Sequence, residues 1–215
     1  MTEQLEQYIL AHIDPEPHHL ARLDRDTHVR LLYARMCSGH LQGRLLKMLV
    51  RMVNPCRVLE LGTYSGYATQ CLAEGLLRDD AHVDTIEIDD ELEDFIRKHL
   101  ASSPVAARIT LHIGDAVDIL QRLDRQFDLI YIDANKRDYV AYYDLAMAHL
   151  AEGGYIIADN TLWDGKVADP AAHDAQTRGI RAFNDLVARD PRVERVILPL
   201  RDGLTLVRKK LLQEA

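Results

Sequence analysis

Cysteine is scarce in this 215-residue chain: Cys37, Cys56 and Cys71 are widely spaced and odd in number. That fits thiols kept reduced in a cytosol better than a disulfide framework. Zinc-type spacing is missing too, since neither a Cys-x-x-Cys nor a His-x-x-x-His pattern occurs and the ten histidines are scattered. His18-His19 reads as a polar loop. No apolar run approaches the roughly 20 residues of a membrane span. The start, Met1-Thr2-Glu3-Gln4, lacks the basic-then-apolar pattern of a secretory signal. The expectation is a cytoplasmic protein with no membrane partner. A basic surplus is absent as well: 26 Lys and Arg against 34 Asp and Glu leave a net charge of −8. That argues against a dedicated nucleic-acid binder.

The chain does have a core's worth of apolar residues, 47%, with 28% charged. Its length suits one domain, 1–215, with no internal repeat, low-complexity tract or linker. Residues 1–53 read as a helical N-terminal cap, broken near Asp14–Pro17 and around Ser38-Gly39. Within it Leu45, Leu46, Leu49, Val50 and Val53 share one helix face. From 54 to 210 the pattern is a Rossmann-like core. Short apolar runs fall at Arg57–Leu61, Val83–Ile88, Ile109–Ile113, Phe127–Ile132, Gly154–Ala158, Val193–Leu198 and Leu204–Val207. Helical stretches separate most of them, at about 66–77, 90–100, 115–123, 138–150 and 177–189. Such alternation predicts an α/β fold: a seven-stranded, mostly parallel sheet with helices on both faces. The last two runs are joined only by Pro199–Gly203, too short for a parallel crossover, so the last strand is antiparallel. One long loop, Thr161–Ala175, remains, and loops of that length are often functional.

Open α/β sheets bind ligands beyond the carboxyl ends of their strands. Arg57–Tyr67 reads as a buried strand, a glycine turn and a helix start, in which Gly62 and Gly66 let a ligand lie against bare backbone. Glu60, ending an apolar strand, is costly unless something polar binds it. The spacing departs from the dinucleotide G-x-G-x-x-G. Glu87, where the second run ends, is positioned for both hydroxyls of a ribose; the alternative is an acid near a helix N-terminus. After the third strand, Asp115 would cap the next helix and the small Ala116 would leave room for an adenine ring. Asp133 ends the fourth strand and Asp159-Asn160 the fifth. Two carboxylates and an amide oxygen, without His or Cys, suit Mg²⁺, Mn²⁺ or Ca²⁺ rather than zinc, unless these acids merely solvate or cap.

Glu-x-Gly-x-x-x-Gly at 60–66 resembles motif I of class I methyltransferases that use S-adenosylmethionine (SAM). With Asp-Ala-Asn-Lys at 133–136, Asp-Asn-Thr-Leu-Trp at 159–163, and Met36 followed by Gly43 on one helix turn, about residues 30–210 resemble the cation-dependent O-methyltransferases, the catechol and caffeoyl-CoA family. The resemblance implies SAM and a divalent cation, Mg²⁺ first, as cofactors, a catechol-like small-molecule acceptor and a homodimer. It implies SAM contacts at Glu60, Gly62, Thr63, Ser65, Glu87 and Ala116, with the Asp115 capping turn near the adenine. Cys37-Ser38 would lie near the methionine portion, Met36 near the sulfonium, and Asp133 at the amino group. It implies metal ligation by Asp133, Asp159 and Asn160, with Lys136 as general base and Met36 and Asp164 near the acceptor. Trp163, in the loop just past Asp159-Asn160, would either wall the acceptor pocket or be an ordinary interface aromatic. Ala68 departs from the family, where a small hydroxyl residue is frequent.

A phenol has a pKa near 10 and is a poor nucleophile at neutral pH. A chelating cation lowers that pKa, and Lys136 can take the proton if metal and burial depress its own. The blander alternative makes Lys136 a surface ion-pair partner of Asp133 or Asp138. Tyr139, Tyr142 and Tyr143 read as packing, and Arg208-Lys209-Lys210 as a solvated tail. Two other functions fit less well: methylation of a tRNA 5-hydroxyuridine, with Lys136, Arg137, Lys166, Arg178 and Arg181 as a basic edge, and a non-catalytic SAM-binding protein.

Overall fold

Seven apolar runs become seven strands in the computed structural model, which describes residues 2–213. They are β1 (Arg57–Leu61), β2 (His82–Glu87), β3 (Ile109–Ile113), β4 (Phe127–Ile132), β5 (Leu150–Asp159), β6 (Val193–Leu198) and β7 (Leu204–Lys209). Their order in the sheet is β3-β2-β1-β4-β5-β7-β6. The pairs β2/β3, β1/β4 and β4/β5 are parallel, whereas β7 runs antiparallel to both β5 and β6. The expected antiparallel last strand is thus present, inserted between β5 and β6. Strands covered on both faces read as continuous apolar runs, which is why β1 and β4 were legible.

Among the described residues eight α-helices accompany the strands: α1 (Glu3–Leu10), α2 (His18–Arg30), α3 (Gly39–Val53), α4 (Tyr67–Gly75), α5 (Glu93–Ala101), α6 (Ala116–Leu123), α7 (Tyr139–His149) and α8 (Ala175–Arg189). The chain divides into two compact units, 1–56 with 63–114 and 57–62 with 115–215.

In the first unit α3 packs against α4, but not on the face expected. Its buried residues are Gln42, Gly43, Leu46 and Val50. Leu45 and Leu49 are only partly buried. The cause is Gly43, where an added Cβ would meet Cys71 Sγ at 2.7 Å and Tyr67 Cε1 at 2.9 Å. A residue with no side chain is the centre of the contact, so counting apolar side chains misplaces it. Gly43 therefore sits inside α3, while Met36 closes a separate 3-10 turn, Ala34–Met36, and the two do not share a helix turn. Glu74 of α4 joins three elements, reaching Arg44 at 2.9 Å, Lys47 at 3.4 Å and His19 of α2 at 3.1 Å.

In the second unit β5 begins at Leu150, four residues before the expected start. A register shift explains it: Phe127 pairs with Leu150, then Leu129 with Tyr155. Extra residues on one strand are a bulge, and Gly153 at φ +76° supplies the conformation it needs. The basic cluster near the C-terminus is not a solvated tail. Lys209 lies in β7 and bonds Glu152 at 2.9 Å, and Arg208 bonds Glu194 at 2.9 Å.

The α3–α4 contact should tolerate no side chain at the end of α4. A Cβ on Gly75 would stand 2.6 Å from Val50 Cβ and 2.7 Å from the Lys47 carbonyl. Gly75→Ala is expected to cost about 1–3 kcal/mol, as overpacking does. A lowered urea midpoint by circular dichroism is the expected result; an unchanged midpoint would show that the helices separate freely.

Candidate active site

In the first unit the segment after β1 turns sharply into α4. Tyr64 takes φ +50°, and Gly66, at φ +82°, precedes the first helical residue. The turn is tied to the end of β2: Tyr64 N–H donates to Glu87 Oε2 at 2.7 Å, and Asp89 N–H donates to Oε1 at 2.9 Å. Glu87 is buried at the last position of β2, with its carboxylate oriented by two backbone amides. Thr63 and Thr85 hydroxyls bond at 2.5 Å. Ser65 is buried and its Oγ lies 4.0 Å from Cys37 Sγ. Burial pushes the Cys37 thiol up to about 11. Ser38 is buried next to it in the chain, whereas Met36 is 54% exposed. The structure thus gathers Thr63, Ser65 and Glu87 around one turn, with Cys37 beside Ser65.

The second unit carries other residues singled out in the sequence. Glu60 is fully buried on β1, in register with Tyr131 of β4. Gly62, at φ +96°, comes so close to Asp133 that a Cβ would strike the Asp133 carbonyl. Asp133 N–H in turn donates to the Leu61 carbonyl at 2.9 Å. Asp115 takes the capping alternative, accepting from Val117 N–H at 2.8 Å and Asp118 N–H at 3.3 Å, with Ala116 opening α6.

The two strand-end acids are neighbours because of the β4/β5 register. Ile132 pairs with Ala158, so Asp133 and Asp159 follow side by side, on strands spaced about 4.8 Å apart. Asn160 comes next at φ +59°. Asp159 is 4% exposed. Its Oδ2 accepts from Tyr131 OH at 2.9 Å and its Oδ1 from Asn160 N–H at 2.7 Å. Among the described residues no group of three or more His, Cys, Asp and Glu side chains could hold a metal. The set here has two carboxylates, and its third oxygen is an amide.

Lys136 is not a surface lysine. Its side chain is 12% exposed, and Nζ reaches Asp133 Oδ1 at 2.6 Å and Tyr139 OH at 3.0 Å. Burial lowers its pKa, but Asp133 and Tyr139 raise it more, so the ammonium is held above its ordinary value. The depression that the base role requires is reversed while Asp133 carries its charge alone. Burial, with Asp159 next, pushes the Tyr131 phenol well up.

Sequence reasoning missed three residues of this group. Tyr139 does more than pack: its OH accepts from Lys136 and donates to the Asp159 carbonyl at 2.8 Å. Its place three residues after Lys136, at a helix start, was the available signal. Tyr131 stands in an otherwise aliphatic strand, and a buried phenol needs a partner. Gly179 of α8 gave no signal; a Cβ there would strike the Lys136 carbonyl and stand 2.9 Å from Arg137 Cα.

The Thr161–Ala175 loop is partly regular, with a 3-10 segment at Trp163–Ala168 interrupted by left-handed Asp164 and Gly165. Trp163 is partly buried, and Lys166 Nζ lies 5.9 Å from its ring centre. Asp164 is exposed. Arg181 holds the loop: its guanidinium donates to the carbonyls of Val167 at 3.0 Å, Ala172 at 2.8 Å, Lys166 at 2.8 Å, and Asp169. Arg178 donates to the His173 carbonyl. Two cations of the expected basic edge are therefore engaged within the chain. Among the described residues no helix is long and apolar enough to cross a membrane.

The family profile described as O-methyltransferase matches residues 11–210. A Dictyostelium discoideum protein named probable caffeoyl-CoA O-methyltransferase 2 is 33% identical over 192 residues, covering 86% of this chain and 79% of the relative. The structure of an O-methyltransferase from Bacillus cereus in complex with SAH superposes with a TM-score of 0.90 at 30% identity, covering 96% of this chain and 97% of that one. TomG, an O-methyltransferase from Streptomyces achromogenes in complex with SAM, superposes with a TM-score of 0.89 at 29% identity, covering 98% and 100%. With the family matched over nearly the whole length and the fold shared with SAM- and SAH-bound members, the chain belongs to the SAM-dependent O-methyltransferases.

Proposed function

We propose that the protein methylates a hydroxyl of a catechol-like small molecule, with a divalent cation on Asp133, Asp159 and Asn160 and Lys136 as general base. The observation that carries this reading is the pair of strand-end carboxylates side by side, with a buried lysine on one of them. The donor set fits the cation, because hard oxygens alone suit Mg²⁺, Mn²⁺ or Ca²⁺. The positive charge already standing 2.6 Å from Asp133 supports the fit, since that carboxylate is built to face a cation. A bound divalent ion would lower the pKa of a chelated hydroxyl and draw the Asp133 charge away from Lys136.

The chain's residues then divide the work. Glu87, its oxygens aimed by the amides of Tyr64 and Asp89, takes the ribose hydroxyls of SAM. By the family's motifs the further SAM contacts would be Met36, Cys37, Ser38, Glu60, Gly62, Thr63, Ser65, Asp115, Ala116 and Asp133. Once Asp133 is engaged elsewhere, the Lys136 ammonium would release a proton to solvent, and the neutral amine at Nζ would then accept the acceptor's hydroxyl proton. Met36, Trp163 and Asp164 face the acceptor, and holding it in line with the methyl donor supplies much of the rate.

A tRNA acceptor is the weaker reading. Net charge −8 opposes it, and Arg178 and Arg181 are committed to carbonyls. A purely SAM-binding role gives no reason to bury Lys136 against Asp133. A homodimer is the assembly we expect. Helix α1 buries none of its residues and exposes Leu5 at 50% and Tyr8 at 61%.

Transfer of labelled methyl from SAM to caffeic acid or 3,4-dihydroxybenzoate should occur with Mg²⁺ and vanish with EDTA. Transfer indifferent to EDTA would remove the cation from the reaction. No transfer to any catechol, with SAM still bound, would remove the acceptor class and turn attention to hydroxylated tRNA. Lys136→Ala should lower kcat by about 10²–10⁴, the usual worth of a general base, while SAM affinity stays within a few-fold by calorimetry; near-wild-type turnover would rule out the base role. In sedimentation velocity the protein should run as a dimer that Tyr8→Glu dissociates, and a wild-type monomer at micromolar concentration would refute the assembly.

A further inference from the structure

Tyr131 is the one aromatic residue of β4 after its opening Phe127, and it is fully buried. A phenylalanine would fill that volume without a polar atom. The hydroxyl is costly to bury unless it is bonded. It is bonded to Asp159 Oδ2, at 2.9 Å. Asp159 is also held at Oδ1 by Asn160 N–H, 2.7 Å away, and at its main-chain carbonyl by Tyr139 OH, 2.8 Å away. Side chain and backbone of this one acid are thus gripped by two tyrosines from β4 and α7 and by its own successor. A bond on each oxygen fixes the plane of the carboxylate. Carboxylates that ligate metals are commonly oriented by such outer hydrogen bonds, and losing one costs about 10–100-fold in metal affinity.

We propose that Tyr131 is the positioning residue that sets the Asp159 carboxylate for a divalent cation and thereby determines how tightly the cation is held. The proposal rests on the reading that Asp133, Asp159 and Asn160 are the ligands. Tyr143 provides an internal control. It too is a fully buried tyrosine of this unit, and its OH donates to Asp190 Oδ2 at 3.0 Å, an acid outside the ligand set.

The test is Mn²⁺ binding to the full-length protein, read by the paramagnetic resonance signal of unbound Mn²⁺, for wild type, Tyr131→Phe and Tyr143→Phe. Tyr131→Phe should weaken Mn²⁺ binding by about tenfold or more, with unchanged SAM affinity and a folded circular dichroism spectrum. Tyr143→Phe should bind Mn²⁺ within twofold of wild type even if it unfolds at a lower temperature. Equal Mn²⁺ affinity in wild type and Tyr131→Phe overturns the proposal and leaves the ligand assignment standing. Equal losses in both variants also overturn it, since the effect would then be general loosening. A wild type that binds SAM but no Mn²⁺ sinks the ligand assignment itself, and the proposal with it.

Discussion

The register of β4 against β5 is the constraint on which the pairing of the two strand-end acids depends. It pairs Ile130 with Ile156 and Ile132 with Ala158, and only in that register do Asp133 and Asp159 leave the sheet as neighbours. A slip of one residue would turn every side chain of a strand to the opposite face and part the two acids. Two features hold the register. The bulge at Gly153 absorbs the mismatch at the start of β5. At the other end β7 pairs antiparallel with β5 as far as Asp159, opposite Leu204. Just beyond, Thr205 Oγ1 donates to Thr161 Oγ1 at 2.8 Å. The antiparallel strand is therefore more than a closing edge: it fixes where β5 stops, and so where Asn160 begins.

Charge balance at that edge explains why so many polar groups surround so few acids. A buried carboxylate needs a partner of opposite charge or several hydrogen bonds. Asp133 has taken the first solution, with the Lys136 ammonium at 2.6 Å. Asp159 has taken the second, with Tyr131 and the Asn160 amide. Tyr139 joins the two, contacting Lys136 and the Asp159 carbonyl with one hydroxyl. A change in the charge facing Asp133 would therefore be felt at Lys136 directly and at Asp159 through Tyr139.

Local patterns carried the strands, most helices, the glycine turn and the strand-end acids, because each is written within a few consecutive residues. What escaped depends on approach between distant segments. Gly43 and Gly179 act by the absence of a side chain, against Cys71 in one case and Lys136 in the other, and no periodicity marks such a place. The face of α3 was misjudged for the same reason. Asp115 was legible as a cap because the cap and its helix are contiguous. Arg208 and Lys209 were misread because their partners, Glu194 and Glu152, lie far away in sequence. Tyr131 was passed over because strand periodicity rewards any large apolar ring and is blind to one hydroxyl.

The segment that follows Asn160 is the clearest case of structure that sequence conceals. Asn160, Trp163 and Asp164 all have positive φ, at 59°, 48° and 54°, with Gly165 at 75°. For an aromatic residue such a conformation costs on the order of 1 kcal/mol or more, and persists only where the surroundings over-determine it. Those surroundings are identifiable. The Asp202 carbonyl accepts from both Leu162 N–H at 2.7 Å and Trp163 N–H at 3.2 Å. Asn184 donates to the Thr161 carbonyl at 2.8 Å. Arg181 holds four carbonyls between Lys166 and Ala172. The loop is thus tied at its entry to the β6–β7 hairpin and along its length to one guanidinium, and these bonds are what sustain its left-handed residues.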